Sequence, residues 1–337
     1  MAIEGNLSQG RGELISVDRL EVQVLVDNVT DQLSTNPVTV RSELVGLLKV
    51  GMSEWSGESI CCAHHGLSLI VSAHADGRSH TVLFDGGPEG YAIERNGERL
   101  GVAFGSIEAV VLSHGHWDHG GGLLKAVELI RQHNEGHEVP VHLHPGMFQK
   151  RGLRLPSGEV VPFKDVPSIE ALTEGGGAVV CTSDPQLLSG GLFYLSGEIR
   201  RLTTYEQGLP NHVRQAGDGT TWEPDPLIMD ERFLAVRVRE KGLIVFTACS
   251  HAGVVNVLKH ARATMPNIPL YAVMGGLHLS GSGPEKIISE TVRDLRGFGL
   301  KMIIPGHCTG WRAVTALVNE FGEEVVAPSA VGKHYLF

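Results

Sequence analysis

Ala109-Val110-Val111-Leu112-Ser113-His114-Gly115-His116-Trp117-Asp118-His119-Gly120 is an apolar run that breaks into three imidazoles and a carboxylate. Its four leading apolar residues read as a strand buried on both faces. From Gly121 onward, Leu123, Leu124, Val127 and Ile130 fall at helical spacing. The histidine-rich segment is therefore a strand-to-helix turn at the carboxyl end of a strand, where α/β sheets place their ligands. Packing alone does not call for that density of polar side chains. Neutral imidazoles beside a carboxylate suit a borderline-soft divalent cation. His114 and His116, two apart in an extended turn, can point to one side. Asp118 and His119, at the start of the helix, can face a second point nearby. One short turn can thus serve two adjacent cations, as two-metal hydrolytic sites require. Asp118 taken alone would serve equally well as a helix cap.

The pattern of a strand ending in histidine and glycine recurs downstream. Leu243 to Thr247 runs into Ala248-Cys249-Ser250-His251-Ala252-Gly253. Pro269 to Val273 runs into Gly275-Gly276-Leu277-His278, and Lys301 to Ile304 into Pro305-Gly306-His307-Cys308-Thr309-Gly310. Glycine lets backbone approach a ligand closely, and the recurrence lets these side chains converge on one rim of a sheet. Glu198, in Ser196-Gly197-Glu198-Ile199, reads as a metal ligand or general base, or as a surface glutamate paired with Arg200 or Arg201. Asp85, after the strand His80 to Phe84, is placed to accept the free N–H of a ligating histidine. Cys249 and Cys308 flank the cluster as thiolate ligands or as small buried thiols.

Other strands are expected at Val22–Val26, Leu67–Ser72, Val139–His144 and Phe233–Val238. Helices are expected through Val254–Ala261, Ile287–Leu295 and Ala313–Phe321. Early strands come mostly without helices between them and later ones alternate with helices, which predicts a mixed sheet or a pair of sheets with helices outside. Residues 200–231, rich in Gly, Pro, Thr and Asp, read as a lid or substrate loop. The chain of 337 residues is 42% hydrophobic and 20% charged, the balance of a soluble globular protein. Its formal net charge of −10 disfavours a polyphosphate partner. MAIEGNLSQGRGELIS lacks the apolar core of a signal peptide, and no stretch has the length and apolarity to cross a bilayer. Five irregularly spaced cysteines argue against a disulfide framework and for a reducing cytoplasm. The expected partner is a small-molecule substrate, with no nucleic acid and no membrane; oligomeric state is open.

His114-Gly115-His116-Trp117-Asp118-His119 resembles the HxHxDH signature of the metallo-β-lactamase superfamily, and Leu83-Phe84-Asp85-Gly86 its early strand-turn aspartate. The segments SGEI, ACSHAG, GGLHL and PGHCTG resemble one branch. That branch is the 7,8-dihydropterin-6-methyl-4-(ribofuranosyl)aminobenzene phosphate synthase-like metal-dependent hydrolases. The resemblance runs from about Val22 to Phe321 and implies an α/β, four-layer αββα sandwich, one domain over 1–337, with a metal site on one edge. It implies that His114 and His116 hold a first metal, and that Asp118, His119 and His307 hold a second. The histidine usual between these motifs is replaced at Gly197-Glu198, so His251 or Glu198 fills that place. The usual bridging aspartate is also missing, and Cys249, Ser250 and His251 stand there instead.

One or two divalent ions, zinc first and manganese or iron as alternatives, would activate water at neutral pH. The expected function is hydrolysis or a phosphate-eliminating transfer on a small phosphorylated or pterin-like metabolite. Asp118, His278 and Glu198 are the candidate catalytic groups, and Arg200 and Thr309 the candidate substrate contacts. An iron-dependent redox enzyme on the same fold, or a degenerate metabolite sensor without catalysis, are the alternatives.

Overall fold

The structure is a computed structural model that describes residues 13–337. Residues 1–12, most of the amino-terminal segment read above, lie outside the described residues. Alternating burial builds the architecture. Along and just past the strand Ile107–Val111, Ala109 and Val111 enter one apolar cluster and Val110 and Leu112 another. This is the two-residue side-chain period of a strand covered on both faces. The strand Gly242–Thr247 repeats it, with Ile244 and Phe246 on one side and Leu243 and Val245 on the other.

Two sheets result. The first has eight strands in the order Gly177–Cys181, Val139–Leu143, Ile107–Val111, Arg78–Phe84, Ser68–Ala75, Arg19–Val26, His334–Leu336 and Val40–Arg41. The second runs Gln186–Leu188, Phe193–Leu195, Leu234–Val238, Gly242–Thr247, Leu270–Gly276, Met302–Gly306, with Ser16–Val17 beside Leu234–Val238. Val82, Phe84 and Val111 of the first pack face to face with Ile244, Phe246 and Met274 of the second. Helices Gly90–Leu100 and Leu123–His133 cover the first sheet; Val254–Thr264, Ile288–Leu295 and Trp311–Phe321 cover the second. In Leu123–His133 the buried positions Leu123, Ala126, Val127 and Ile130 form one helical stripe. The expected αββα sandwich is what forms.

Each sheet contains a parallel run, Arg78–Phe84 through Gly177–Cys181 in the first and Gly242–Thr247 through Met302–Gly306 in the second. The carboxyl ends of both runs meet at one edge, and that edge carries the histidines. At the opposite edge Ser68–Ala75 turns into Arg78–Phe84 through Asp76 and Gly77, both with positive φ (50° and 73°). That is the type I′ hairpin whose twist matches the flanking strands.

Residues 200–231, read above as a lid or substrate loop, contain two short strands, and Tyr205, Gln207 and Pro210 line a cleft. His212–Gln215 pairs on one side with Trp222–Pro224 and on the other with Arg151–Arg154, which pairs with Val160–Pro162. Glu206, His212, Asp230 and Glu231 in this stretch are buried. Most of its interior-facing groups are polar, with Val213 and Ile228 the buried apolar ones, so no apolar period marks it. Among the described residues no helix is long and apolar enough to cross a membrane.

Candidate metal centre

The turn after Ile107–Val111 is held by Asp85. Its Oδ1 accepts from Ser113 N at 2.7 Å, and its Oδ2 from Ser113 Oγ at 2.8 Å and His119 Nδ1 at 2.7 Å. Asp230 Oδ2 accepts from Gly115 N at 2.8 Å and is itself clamped by the buried Arg151. The left-handed region, costly for side chains other than glycine, is occupied at Asp85, Ser250, His278 and His307, with φ of 64°, 57°, 46° and 45°. Four of the nine non-glycine residues with positive φ among the described residues thus lie on the edge where the histidines meet.

Two foci form there. His114, His116 and His251 offer ligand atoms within 4.8 Å of one another, and so do His65, Asp118 and His307. His119 and Cys249 join them: His114, His119 and Cys249 form a third such group, and Cys249, His307 and Cys308 a fourth. His119 Nε2 lies 3.2 Å from Cys249 Sγ, and His307 Nε2 lies 3.4 Å from Asp118 Oδ2.

Hydrogen-bond partners fix which ring nitrogens carry protons. The Ser113 hydroxyl donates to Asp85, so its lone pair receives His114 Nδ1–H at 2.9 Å. His114 therefore presents a bare Nε2. His212 Nδ1 donates to the Asp225 carbonyl at 2.7 Å, which leaves His212 Nε2 to accept from His116 Nε2–H at 3.1 Å. His116 therefore presents a bare Nδ1. These two bare nitrogens face each other 3.1 Å apart. Burial, then the neighbouring rings, holds His114, His116 and His251 well below the ordinary histidine range, so all three are neutral at pH 7. Two lone pairs so placed repel unless a cation lies between them.

Further buried atoms tell the same story. Both ring nitrogens of His251 and of His278, and Nε2 of His307, have no hydrogen-bond partner, a cost of about 1–3 kcal/mol apiece where it stands uncompensated. Burial opposes the charge on Asp118, but His119, His307 and His65 hold its carboxyl well below the usual carboxylate range. Burial likewise opposes charge on His119, yet Asp118 and Asp85 push its pKa up to about 9. The donor set of imidazoles, carboxylate and thiol fits a divalent transition-metal ion.

His278 stacks near His251, ring centroids 4.4 Å apart, and both line a cleft of about 190 Å³ whose walls include Tyr205, Gln207 and Lys286. Other expected residues lie elsewhere. Thr309 is spent on structure: its hydroxyl donates to the Gly306 carbonyl at 2.7 Å and accepts from Leu277 N at 3.0 Å. Arg200 is exposed beside His260, outside the histidine clusters; Arg201, more buried, ties Ile199 to Leu227. Glu198 is exposed and approaches His144 at 3.7 Å, not the clustered rings. Sequence reading missed His65, His212, Asp230 and Glu231. His65 stands beside a glycine, as His307 does, but ahead of the strand Ser68–Ala75 rather than past a strand end; a Cβ at Gly66 would meet the Asp118 carbonyl at 2.3 Å. His212 has no such signal.

The profile of the Metallo-beta-lactamase superfamily matches residues 68–187. The 7,8-dihydropterin-6-methyl-4-(β-D-ribofuranosyl)-aminobenzene-5′-phosphate synthase of Methanocaldococcus jannaschii is 32% identical over 264 residues, 78% of this chain and 86% of that protein. A crystal structure of a metal-dependent hydrolase of the beta-lactamase superfamily superposes with a TM-score of 0.66 at 23% identity, covering 93% of this chain and 98% of that one. The metallo-beta-lactamase fold protein YhfI from Bacillus subtilis superposes with a TM-score of 0.51 at 11% identity, covering 95% and 100%.

Proposed function

The chain belongs to the metallo-β-lactamase superfamily, and from that premise we propose a metal-dependent enzyme that hydrolyses a small phosphorylated, pterin-like metabolite or transfers part of it with loss of phosphate. The observation that carries this reading is the pair of facing lone pairs on His114 Nε2 and His116 Nδ1. His251 is the third donor at that focus; Asp118, His119 and His307, with Cys249 beside them, are the donors at the second. A divalent ion held there supplies Lewis acidity and hydroxide near neutral pH.

The chain's own groups do the rest. Asp118, at the second focus, can take or return a proton. His278 faces the cleft with both ring nitrogens unpartnered and can hydrogen-bond the substrate. Lys286 offers a cation to its phosphate. The pterin-like part of the substrate is argued from the name of the Methanocaldococcus relative, a synthase whose product joins a dihydropterin-methyl group to a ribofuranosyl aminobenzene phosphate.

The test is elemental analysis together with phosphodiesterase turnover for His116→Ala. Loss of bound metal with loss of turnover is expected; unchanged metal content and rate reject the assignment. Phosphate release with and without an aromatic amine acceptor then separates transfer from hydrolysis. A redox reading draws on Cys249 beside His119; a visible absorption band from iron in the purified protein would favour it.

A further inference from the structure

One amide side chain, Asn28, touches two of the histidines at the second focus, and it touches them with opposite ends. Its Oδ1 lies 2.9 Å from His307 Nδ1, and its Nδ2 lies 3.2 Å from His65 Nδ1. The orientation of this amide is not free. Gly66 N–H donates to Oδ1 at 3.1 Å, and the His307 carbonyl accepts from Nδ2 at 3.2 Å. Turned over, the amide would set N–H against N–H and oxygen against oxygen. The backbone therefore decides which end is which.

The ring chemistry follows. An amide oxygen only accepts, so His307 Nδ1 carries a proton, and in the neutral ring Nε2 is bare. That nitrogen is the buried, unpartnered one aimed at Asp118. An amide nitrogen only donates, so His65 Nδ1 is the bare atom and Nε2 carries the proton. His65 Nε2 is turned toward the same carboxylate, 3.6 Å from Asp118 Oδ2, on a side chain that is 58% exposed. The ring stands between Trp117 and His307, with centroids at 5.8 and 5.1 Å. It is thus at the solvent-facing rim of the focus.

We propose that Asn28 is a positioning residue that locks His307 as a lone-pair donor for the metal and His65 as a neutral N–H donor to the substrate's reacting oxygen. The three residues sharing one focus thereby divide two jobs that identical imidazoles could otherwise exchange. The role of His65 rests on the metal-enzyme reading above; the tautomers do not.

The experiment starts on metal-free protein labelled with 15N at histidine. Long-range 1H–15N correlation spectra distinguish the two tautomers of each ring. His307 is expected as Nδ1–H and His65 as Nε2–H. In Asn28→Asp both carboxylate oxygens accept, so His65 is expected to switch to Nδ1–H while His307 keeps its tautomer. His65 found as Nδ1–H in the unaltered protein overturns the proposal, whatever the metal content proves to be. For the donor role, inorganic phosphate is titrated into the zinc-loaded protein. A shift of the His65 Nε2–H signal is expected, and its absence removes His65 from the substrate. In turnover, His65→Ala is expected to lower kcat about 100-fold with KM little changed. His65→Gln, which keeps an N–H at a similar reach, is expected to recover part of the loss. An unchanged kcat in His65→Ala also overturns the donor role. A chain that binds no zinc defeats the enzyme reading and leaves the tautomer result standing.

Discussion

His116 depends on His212, a residue 96 positions away that accepts the proton of the nitrogen not facing His114. Partners of this kind fix the tautomer of a metal-binding histidine, and losing one typically costs about 10–100-fold in affinity. His212→Ala is therefore expected to weaken zinc binding by that factor, read by competition with a chelator. An unchanged constant would show that His116 needs no such support. His119 sets the pH response of the centre. Below about pH 9 Asp118 and Asp85 keep an extra proton on its ring, which an incoming ion must displace. Apparent affinity is thus expected to climb as pH rises, by up to about tenfold per unit, and to level off above about pH 9. A flat profile would mean that His119 stays outside the coordination. At this scale His114, His116, Asp118 and His119 were legible because they crowd one turn. His65 and His212 were not, because His65 lies ahead of a strand rather than past its end and His212 sits in a stretch without apolar periodicity, so each gains meaning only from what folds against it.

The helix Val254–Thr264 shows how an element is placed by polar groups. Glu206 accepts from Val255 N and Asn256 N, both at 2.9 Å, and Asn256 Oδ1 accepts from Leu202 N and Thr203 N at 2.8 and 2.9 Å. Glu231 accepts from His251 N and Ala252 N at 2.7 and 2.6 Å just before the helix begins. A Cβ on Gly253, whose φ is 90°, would strike the Glu206 side chain at 2.0 Å, so the glycine is what lets the carboxylate in. Glu206→Ala leaves two buried N–H groups unpaired. A loss of about 1–3 kcal/mol is expected in urea denaturation, together with faster proteolysis between residues 200 and 210. No loss would mean that water replaces the carboxylate. Elements rich in Val, Ile and Leu announced themselves in the sequence. Gly90–Leu100 did not: its buried face is Ala92, Ile93, Asn96, Gly97 and Leu100, too mixed to read as an apolar stripe. The short strands of 200–231 escaped for the same reason.

Across the molecule, stability and chemistry are drawn from different places. The cluster between the sheets is apolar, and Phe193 lies fully buried in it on the strand Phe193–Leu195. Phe193→Ala is expected to cost about 3–5 kcal/mol in denaturant unfolding while leaving zinc stoichiometry unchanged. A parallel fall in bound metal would show that the core and the histidine edge are coupled. The order of strands and helices narrows the plan to a mixed sheet or a pair of sheets with helices outside, and the resemblance to the superfamily selects the four-layer sandwich between them. The polar supports were not legible, because a buried carboxylate such as Asp230 or Glu231 looks in sequence like any surface acid.

The Asp76–Gly77 hairpin sits at the far end of the sandwich from the histidines, and Gly77 has open space where a side chain would go. A chemical handle introduced there would anchor every molecule on a sensor chip or electrode in the same attitude, mouth toward the bulk liquid, so that immobilised protein should exchange small solutes as freely as protein in suspension.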